Sequence, residues 1–201
     1  MELIVISSPC CFKREDVLIN RLFEAGLGVF HLRKQGLDRA AYKKLIGEID
    51  VAYHGQLAIH QFHELREDYG IERLHFTEQH RRAMVREDLL LNTSFVRSTS
   101  VHDLSEVTGL NGFSYAFFGP VFDSLSKPGY VGVIQSGFRW QAVPGQPKLI
   151  ALGGIDATNL PEVRQMGFDG AAVLGTLWNE PSKALETFKK MKQLCVQTDL
   201  M

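Results

Sequence analysis

Short clusters of polar side chains punctuate this chain, and each closes a run of apolar residues. Arg33, Lys34 and Gln35 follow Val29–Leu32, and His60 and Gln61 follow Gln56–Ile59. Thr77 and Glu78 follow the run ending at Phe76, while Ser98, Ser100 and His102 end the run that starts at Thr93. Ser124, Ser126 and Lys127 lie beyond Tyr115–Phe118. Two later runs end in glycine: Gly153–Gly154, and Leu174–Gly175. Hydroxyls beside an ammonium or guanidinium suit phosphate oxygens. Glycines at strand ends let main-chain N–H groups approach an anion, because no Cβ stands in the way. Histidines with an ordinary pKa near neutrality suit proton transfer.

Something must hold these clusters together, and the elements between them indicate what. The stretch from Pro147 to Thr176 reads as strand, Gly-Gly turn, helix, strand and glycine turn. Lys148–Leu152 is apolar without a helical period, so it is expected to be a buried strand. Asp156 or Thr158 can cap a helix carrying Leu160, Val163 and Met166, and Gly167 can stop it. The same alternation runs backwards through the chain. Strands are expected at Glu2–Ser7, Gly28–Arg33, Gln56–His60, Glu72–Thr77, Thr93–Thr99 and Phe113–Phe118. Helices are expected at Arg14–Ala25, Leu37–Val51, around Glu64, Glu78–Val85, His102–Thr108 and Pro181–Cys195. A short helical turn is expected near Trp140. Eight strands alternating with helices predict an α/β protein, one (β/α)8 TIM barrel over residues 1–201. An open doubly wound sheet fits less well, because the first strand lacks a glycine-rich dinucleotide turn.

In such a barrel the chemistry sits at the C-terminal ends of the strands, often with a phosphate held after the last two. Strand alternation places Val29, His31 and Arg33 on one face of the second strand, with Phe30 and Leu32 on the other. The bulky pair should meet the helices, so His31 and Arg33 should point inward, and His60 and His75 likewise. No HxH, HxxxH or HExxH spacing builds a zinc cage from these histidines. The segment 119–132, GPVFDSLSKPGYVG, has the length and glycine content of a functional loop, with Ser124, Ser126 and Lys127 placed for a second anion.

Composition excludes several classes. The 201 residues carry a formal net charge of −1, which gives no bulk attraction to nucleic acid or to an anionic membrane. Hydrophobic residues make up 45%, enough for a full core. Three cysteines without a CxxC pair argue against a disulfide framework or a zinc site. MELIVISSP is too short and acidic for a signal peptide, and no run of about 18 apolar residues exists. A cytoplasmic protein is expected, with a homodimer through the outer helices left open.

The motifs resemble those of one superfamily. FFGPVFDSLSKPG resembles the GPIFPTxTK loop of the thiamine phosphate synthases, and FHLRKQ resembles their VQLREK strand. ERLHFTEQH is similar to GVHLGQED, and STSVHDLSEV to GxSxHxxEEA. IALGGIDATNLPEVRQMGFDGAAVLGT is similar to AIGGIxxxNxxxVxxAGADGVAVxSA. The superfamily also holds the TenI-like thiazole tautomerases. The resemblance implies a transferase that joins hydroxymethylpyrimidine diphosphate to thiazole phosphate, with Mg²⁺ as cofactor and phosphorylated heterocycles as the small molecules bound. It implies diphosphate contacts from Arg33, Ser100, Ser124, Ser126 and Lys127. Thiazole phosphate would be held by Gly153, Gly154, Leu174 and Gly175. His31, His60 and His75 would line the substrate pocket, and His102 would join Arg33, Ser100 and Lys127 in the reaction. Departures are confined to the metal half. Gln35 stands for the family's strand-two lysine, His60-Gln61 for its Asn-Asp pair, and His80 for its acidic residue, leaving Glu78 as the candidate metal ligand. Pro120 stands where the tautomerases carry their catalytic histidine. A tautomerase and a non-catalytic thiazole-phosphate-binding protein are the alternatives.

Overall fold

The computed structural model describes residues 1–84, 94–123, 132 and 137–196. Eight strands form it: β1 (Glu2–Ile6), β2 (Val29–Leu32), β3 (Leu57–Ile59), β4 (Arg73–Phe76), β5 (Val96–Val101), β6 (Tyr115–Phe118), β7 (Lys148–Leu152) and β8 (Gly170–Val173). They pair in sequence order, all parallel, and β8 returns to β1 to close the barrel. Helices α1 (Glu15–Glu24), α2 (Arg39–Glu48), α3 (Leu65–Tyr69), α4 (Glu78–Ala83), α5 (Leu160–Gln165), α6 (Gly175–Trp178) and α7 (Ala184–Val196) lie between or after them. This is the (β/α)8 barrel that the alternation of runs predicts.

Period-2 alternation sorts the strand residues into two layers. Phe30, Leu32, Leu57, Ile59, Leu74 and Phe76 face outward and pack with helix residues such as Ile19, Leu22, Ile46 and Phe188. Ile4, Ile6, Val29, Ala58, Phe117, Ile150 and Ala172 fill the interior. Buried polar side chains share that interior: His31, His75 and Ser98 are each exposed by 2% or less. Adjacent strands in register set His75 beside Ser98, and Ser98 beside Tyr115.

Several elements differ from expectation. β5 begins three residues later and ends two later than the sequence suggests, because β4 pairs Arg73 with Val96. The helix expected after it is a 3₁₀ turn, Leu104–Gly109, started by the Asp103 carboxylate accepting from Ser105 N–H at 2.8 Å. A further 3₁₀ turn, Val51–Gln56, leads into β3. Among the described residues no helical turn forms near Trp140, whose N–H instead donates to the Met166 carbonyl at 2.7 Å. Before α5, Asp156 caps an Asx turn by accepting from Thr158 and Asn159 N–H, and Asn159 takes the N-cap position. No helix among the described residues is long and apolar enough to cross a membrane.

The chain leaving β6 crosses the end of β7. Val121 N–H donates to the Leu152 carbonyl (2.9 Å) and Phe122 N–H to the Gly153 carbonyl (3.1 Å). Gly154 has φ +65°, and a Cβ there would lie 2.2 Å from the Asp123 carbonyl oxygen. Both facts demand glycine. Gly154→Ala is therefore expected to destabilise the fold by about 1–3 kcal/mol, the usual range for overpacking. Gly28→Ala, where a Cβ meets nothing within 4 Å, should leave stability unchanged. Denaturant midpoints of the two variants check this pair; equal midpoints would contradict the crossing described.

Candidate functional site

A cavity of about 420 Å³ opens at the C-terminal ends of the strands. Arg33, His60, His75, Thr77, Glu78, Ser100, His102 and Phe117 line one side. Gly153, Gly154, Leu174, Gly175 and Thr176 line the other.

Arg33 is placed by its main chain. The Ser7 hydroxyl donates to the Arg33 carbonyl at 2.7 Å and accepts from the Arg33 N–H at 2.9 Å. The next residue turns away. Lys34 is buried, and its ammonium donates to the Ser8 carbonyl at 2.8 Å and pairs with the Glu15 carboxylate. A buried charge needs such partners, and burial pushes the Glu15 carboxyl up despite them. Lys34 thus fastens the loop after β1 and does not line the cavity; Gln35 is exposed and does not line it either.

Three histidines from different strands meet on the barrel axis, with ring nitrogens within 4.8 Å of one another. His31 Nδ1 lies 2.9 Å from His60 Nε2, and His31 Nε2 lies 2.6 Å from the Tyr115 hydroxyl. His75 Nδ1 lies 3.0 Å from the Ser98 hydroxyl, and its Nε2 lies 3.2 Å from the Ser100 hydroxyl. Burial pushes all three rings well below ordinary imidazole basicity, and neighbouring rings and Arg33 or Arg73 add to it; His75 falls to about 3. The rings are therefore neutral at physiological pH. Spacing along the chain gives no hint of this meeting, which the barrel alone produces. The cluster does not form a metal cage. His60 and His75 are stacked, with centroids 4.0 Å apart and planes 22° apart, so their in-plane lone pairs do not converge. Both nitrogens of His31 and of His75 already have partners.

On the opposite wall, Thr176 Oγ1 donates to the Ile155 carbonyl and ties the two glycine turns together. Asn159 Nδ2 donates to the Gly154 carbonyl at 2.8 Å and fixes that peptide plane. Glycine main chain held this way suits an oxyanion.

Among the described residues, Glu78 is the one carboxylate that lines the cavity. It pairs with Arg82, and its other oxygen stands 3.9 Å from His102 Nε2. Arg82 also pairs with Glu106, as does Arg81. His102 Nδ1 lies 2.7 Å from the Gly119 carbonyl and therefore carries a proton. Mg²⁺ needs several oxygen ligands. Among the described lining residues, one carboxylate already shared with a guanidinium does not by itself make a site for Mg²⁺.

Of the residues singled out in the sequence, Arg33, Ser100, His102, Glu78, His60, His75, Gly153, Gly154, Leu174 and Gly175 all stand on the cavity wall. His31 does not. It lies one layer down, fully buried beneath His60, because its strand position is lower in the barrel. Ser124, Ser126 and Lys127 lie outside the described residues. Sequence reasoning missed Tyr115 as a partner of the histidines; its inward parity with Phe117 on β6 was the available signal.

A (β/α)8 barrel with its cavity at the strand C-termini and a glycine-lined wall after the last two strands defines the general class. The family profile described as "Thiamine monophosphate synthase" matches residues 3–177, and the chain belongs to this family. The thiamine-phosphate synthase of Lysinibacillus sphaericus (strain C3-41) is 25% identical over 190 residues, spanning 89% of this chain and 88% of that protein. The thiamine-phosphate synthase of Bordetella bronchiseptica is 37% identical over 76 residues, 35% of each chain. Among solved structures, thiamine phosphate pyrophosphorylase from Bacteroides thetaiotaomicron superposes with a TM-score of 0.77 at 27% identity, covering 98% of this chain and 99% of that one. Thiamine phosphate pyrophosphorylase from Pyrococcus furiosus shares the fold at 17% identity, with a TM-score of 0.70 over 98% and 96% of the two chains.

The neutral histidines make stability depend on acid. In the unfolded chain each imidazole has a pKa near ~6.5. Below that value the unfolded state takes up protons that the folded state refuses. Stability is thus complete above about pH 6.5 and falls as pH drops toward the folded value, about 3 for His75. His75→Asn should flatten this loss by up to about 1.4 kcal/mol per pH unit. Melting temperatures between pH 7 and 4 check it; parallel curves for the two proteins would contradict a neutral His75.

Proposed function

We propose that the chain is a transferase of thiamine phosphate synthesis, joining hydroxymethylpyrimidine diphosphate to thiazole phosphate. The carrying observation is one cavity with two walls suited to anions. The glycine turns of β7 and β8 form the first, suited to the thiazole phosphate. Arg33 and Ser100 supply the second, suited to the diphosphate. In the reaction the bond from the pyrimidine methylene to the diphosphate oxygen breaks, and the thiazole nitrogen lone pair forms the new C–N bond. The work is stabilisation of charge on the leaving group and on the methylene. An uncharged floor supports this reading, since imidazolium would repel a developing methylene cation. Phe117, also on the cavity wall, adds an aromatic ring whose quadrupole favours such a cation.

A second reading is isomerisation of a phosphorylated thiazole. It is favoured by the number of neutral proton-carrying groups in the floor, which bond cleavage to diphosphate does not need.

The direct test is a product assay with purified protein, both phosphorylated substrates and Mg²⁺, read by chromatography. Thiamine phosphate is the expected product. Thiazole phosphate bound without product would overturn the transferase. Arg33→Ala is expected to weaken diphosphate binding by about 1.5–3 kcal/mol, the loss of a charge-assisted contact, with thiazole phosphate affinity held within about twofold. Equal losses for both ligands would contradict the two-wall arrangement. Glu78→Gln should alter neither metal dependence nor binding of either ligand by more than about tenfold (~1.4 kcal/mol).

A further inference from the structure

Cys10 and Cys11 are neighbours in the chain and both are exposed, whereas the third cysteine, Cys195, is buried. The pair lies in the loop between β1 and α1, at the end of the barrel that carries the cavity but outside the cavity wall. A short ladder holds this loop against the one after β2. The Ser7 hydroxyl bonds both main-chain groups of Arg33, and Gln35 N–H donates to the Pro9 carbonyl at 3.0 Å. Between them the Lys34 ammonium donates to the Ser8 carbonyl at 2.8 Å and to the Cys10 carbonyl at 3.4 Å, and pairs with Glu15. These acceptors engage all the N–H groups of the ammonium, as a buried charge requires. On its other side the loop rests on Trp178. The Phe12 ring lies 5.8 Å from the indole, whose N–H donates to the Ile6 carbonyl at 2.6 Å.

We propose that Cys10 and Cys11 are a dithiol modification site, which a small-molecule disulfide oxidises to a ring disulfide, and that closing the ring loosens the ladder that places Arg33. One thiol attacks the small disulfide R–S–S–R. A mixed disulfide forms, and R–SH leaves with the proton. The second thiol attacks the protein sulfur of that mixed disulfide, the Cys10–Cys11 bond forms, and a second R–SH leaves. Two protein thiols are oxidised, and one small disulfide is reduced to two thiols. Exposure gives the reagent access to both sulfurs, and adjacency makes the second step intramolecular.

The ring is readily reopened. Neighbouring Cα atoms are ~3.8 Å apart across a trans peptide, less than the ~4.4–6.8 Å that a disulfide ordinarily spans. A bridge between neighbours is therefore strained, and strained, exposed bridges are the labile, regulatory kind. The ring also contains the peptide group between Cys10 and Cys11. Closing it turns that group, and the Cys10 carbonyl that Lys34 holds belongs to it. One N–H of a buried ammonium then loses its acceptor, which burial makes costly. Ring and clamp oppose each other, so each weakens the other by the same factor. Arg33, the residue before Lys34, is the group on the cavity wall that the loosened ladder displaces. The effect on ligands rests on the reading of Arg33 as a diphosphate contact; the dithiol itself does not.

The test treats the full chain with glutathione disulfide and reads mass, fluorescence and binding, with dithiothreitol as the reversal. A chain lighter by two hydrogens is expected, with the bridge mapped to Cys10–Cys11 by peptide mass spectrometry and Cys195 still a thiol. In a Trp140→Phe protein Trp178 is the only indole, and its emission should shift as the ring closes and return on reduction. Cys10→Ser and Cys11→Ser should stop at mixed disulfides and keep the reduced emission. Lys34→Met with Glu15→Leu removes the clamp without leaving either charge unpaired, and should stabilise the ring against dithiothreitol about tenfold. Melting temperatures show whether that double variant folds; if it does not, mass and emission of the others decide. Inorganic diphosphate should bind the ring form about tenfold more weakly than the reduced form. Mixed disulfides or chain-to-chain bridges without the ring overturn the proposal. So does a ring that leaves the emission unchanged, a ring no more stable without the clamp, or one that leaves diphosphate affinity unchanged. No binding of diphosphate to the reduced protein overturns the reading of Arg33, and mass and emission then still decide the dithiol.

Discussion

Polar groups inside a parallel barrel must satisfy one another, because strands and helices enclose them on every side. The floor of this barrel obeys that constraint. Three imidazoles, a phenol and two hydroxyls meet there in two hydrogen-bonded groups, His60–His31–Tyr115 and Ser98–His75–Ser100. An unpaired member would carry the full desolvation penalty of its polar group. A charged member would be worse placed still. Neutrality of the floor, the upward shift of the Tyr115 phenol to about 12 by burial, and the fixed orientation of His60 toward the cavity all follow from this.

The upper rim is governed differently. There, main chain positions main chain. Ser7 fixes Arg33, and the segment after β6 lies so close over β7 that Gly153 and Gly154 can carry no side chain. Those glycines serve a structural need and an access need together. The crossing segment demands the missing Cβ, and the same glycines line the cavity. Asp123, which accepts from Gly132 N–H at 2.8 Å, pins the far side of the same segment to its start.

Much of this was legible in the chain. Runs ending in polar clusters gave eight strands in order, and parity on β2 placed His31 inside with Phe30 and Leu32 outside. The glycine wall and Arg33 were found from residue types at strand ends. What stayed hidden depends on barrel closure. His31, His60 and His75 are 29 and 15 residues apart along the chain. Their contact arises from the stagger between neighbouring strands, which no local pattern records. Tyr115 read as one more aromatic in an apolar run, YAFF. Lys34 looked like a cation available to the cavity, and only the depth of its burial against Glu15 shows otherwise. Glu78 looked free for a metal because its partner Arg82 lies one helical turn away on α4, where either residue alone reads as solvated surface.

The measurement that bears most directly on this account is the ¹⁵N NMR spectrum of the histidine side chains between pH 5 and 8. The account predicts neutral imidazole signals for His31, His60 and His75 across that range. An imidazolium pattern in any of the three would place a charge in the barrel floor and contradict the neutral network on which the site is built.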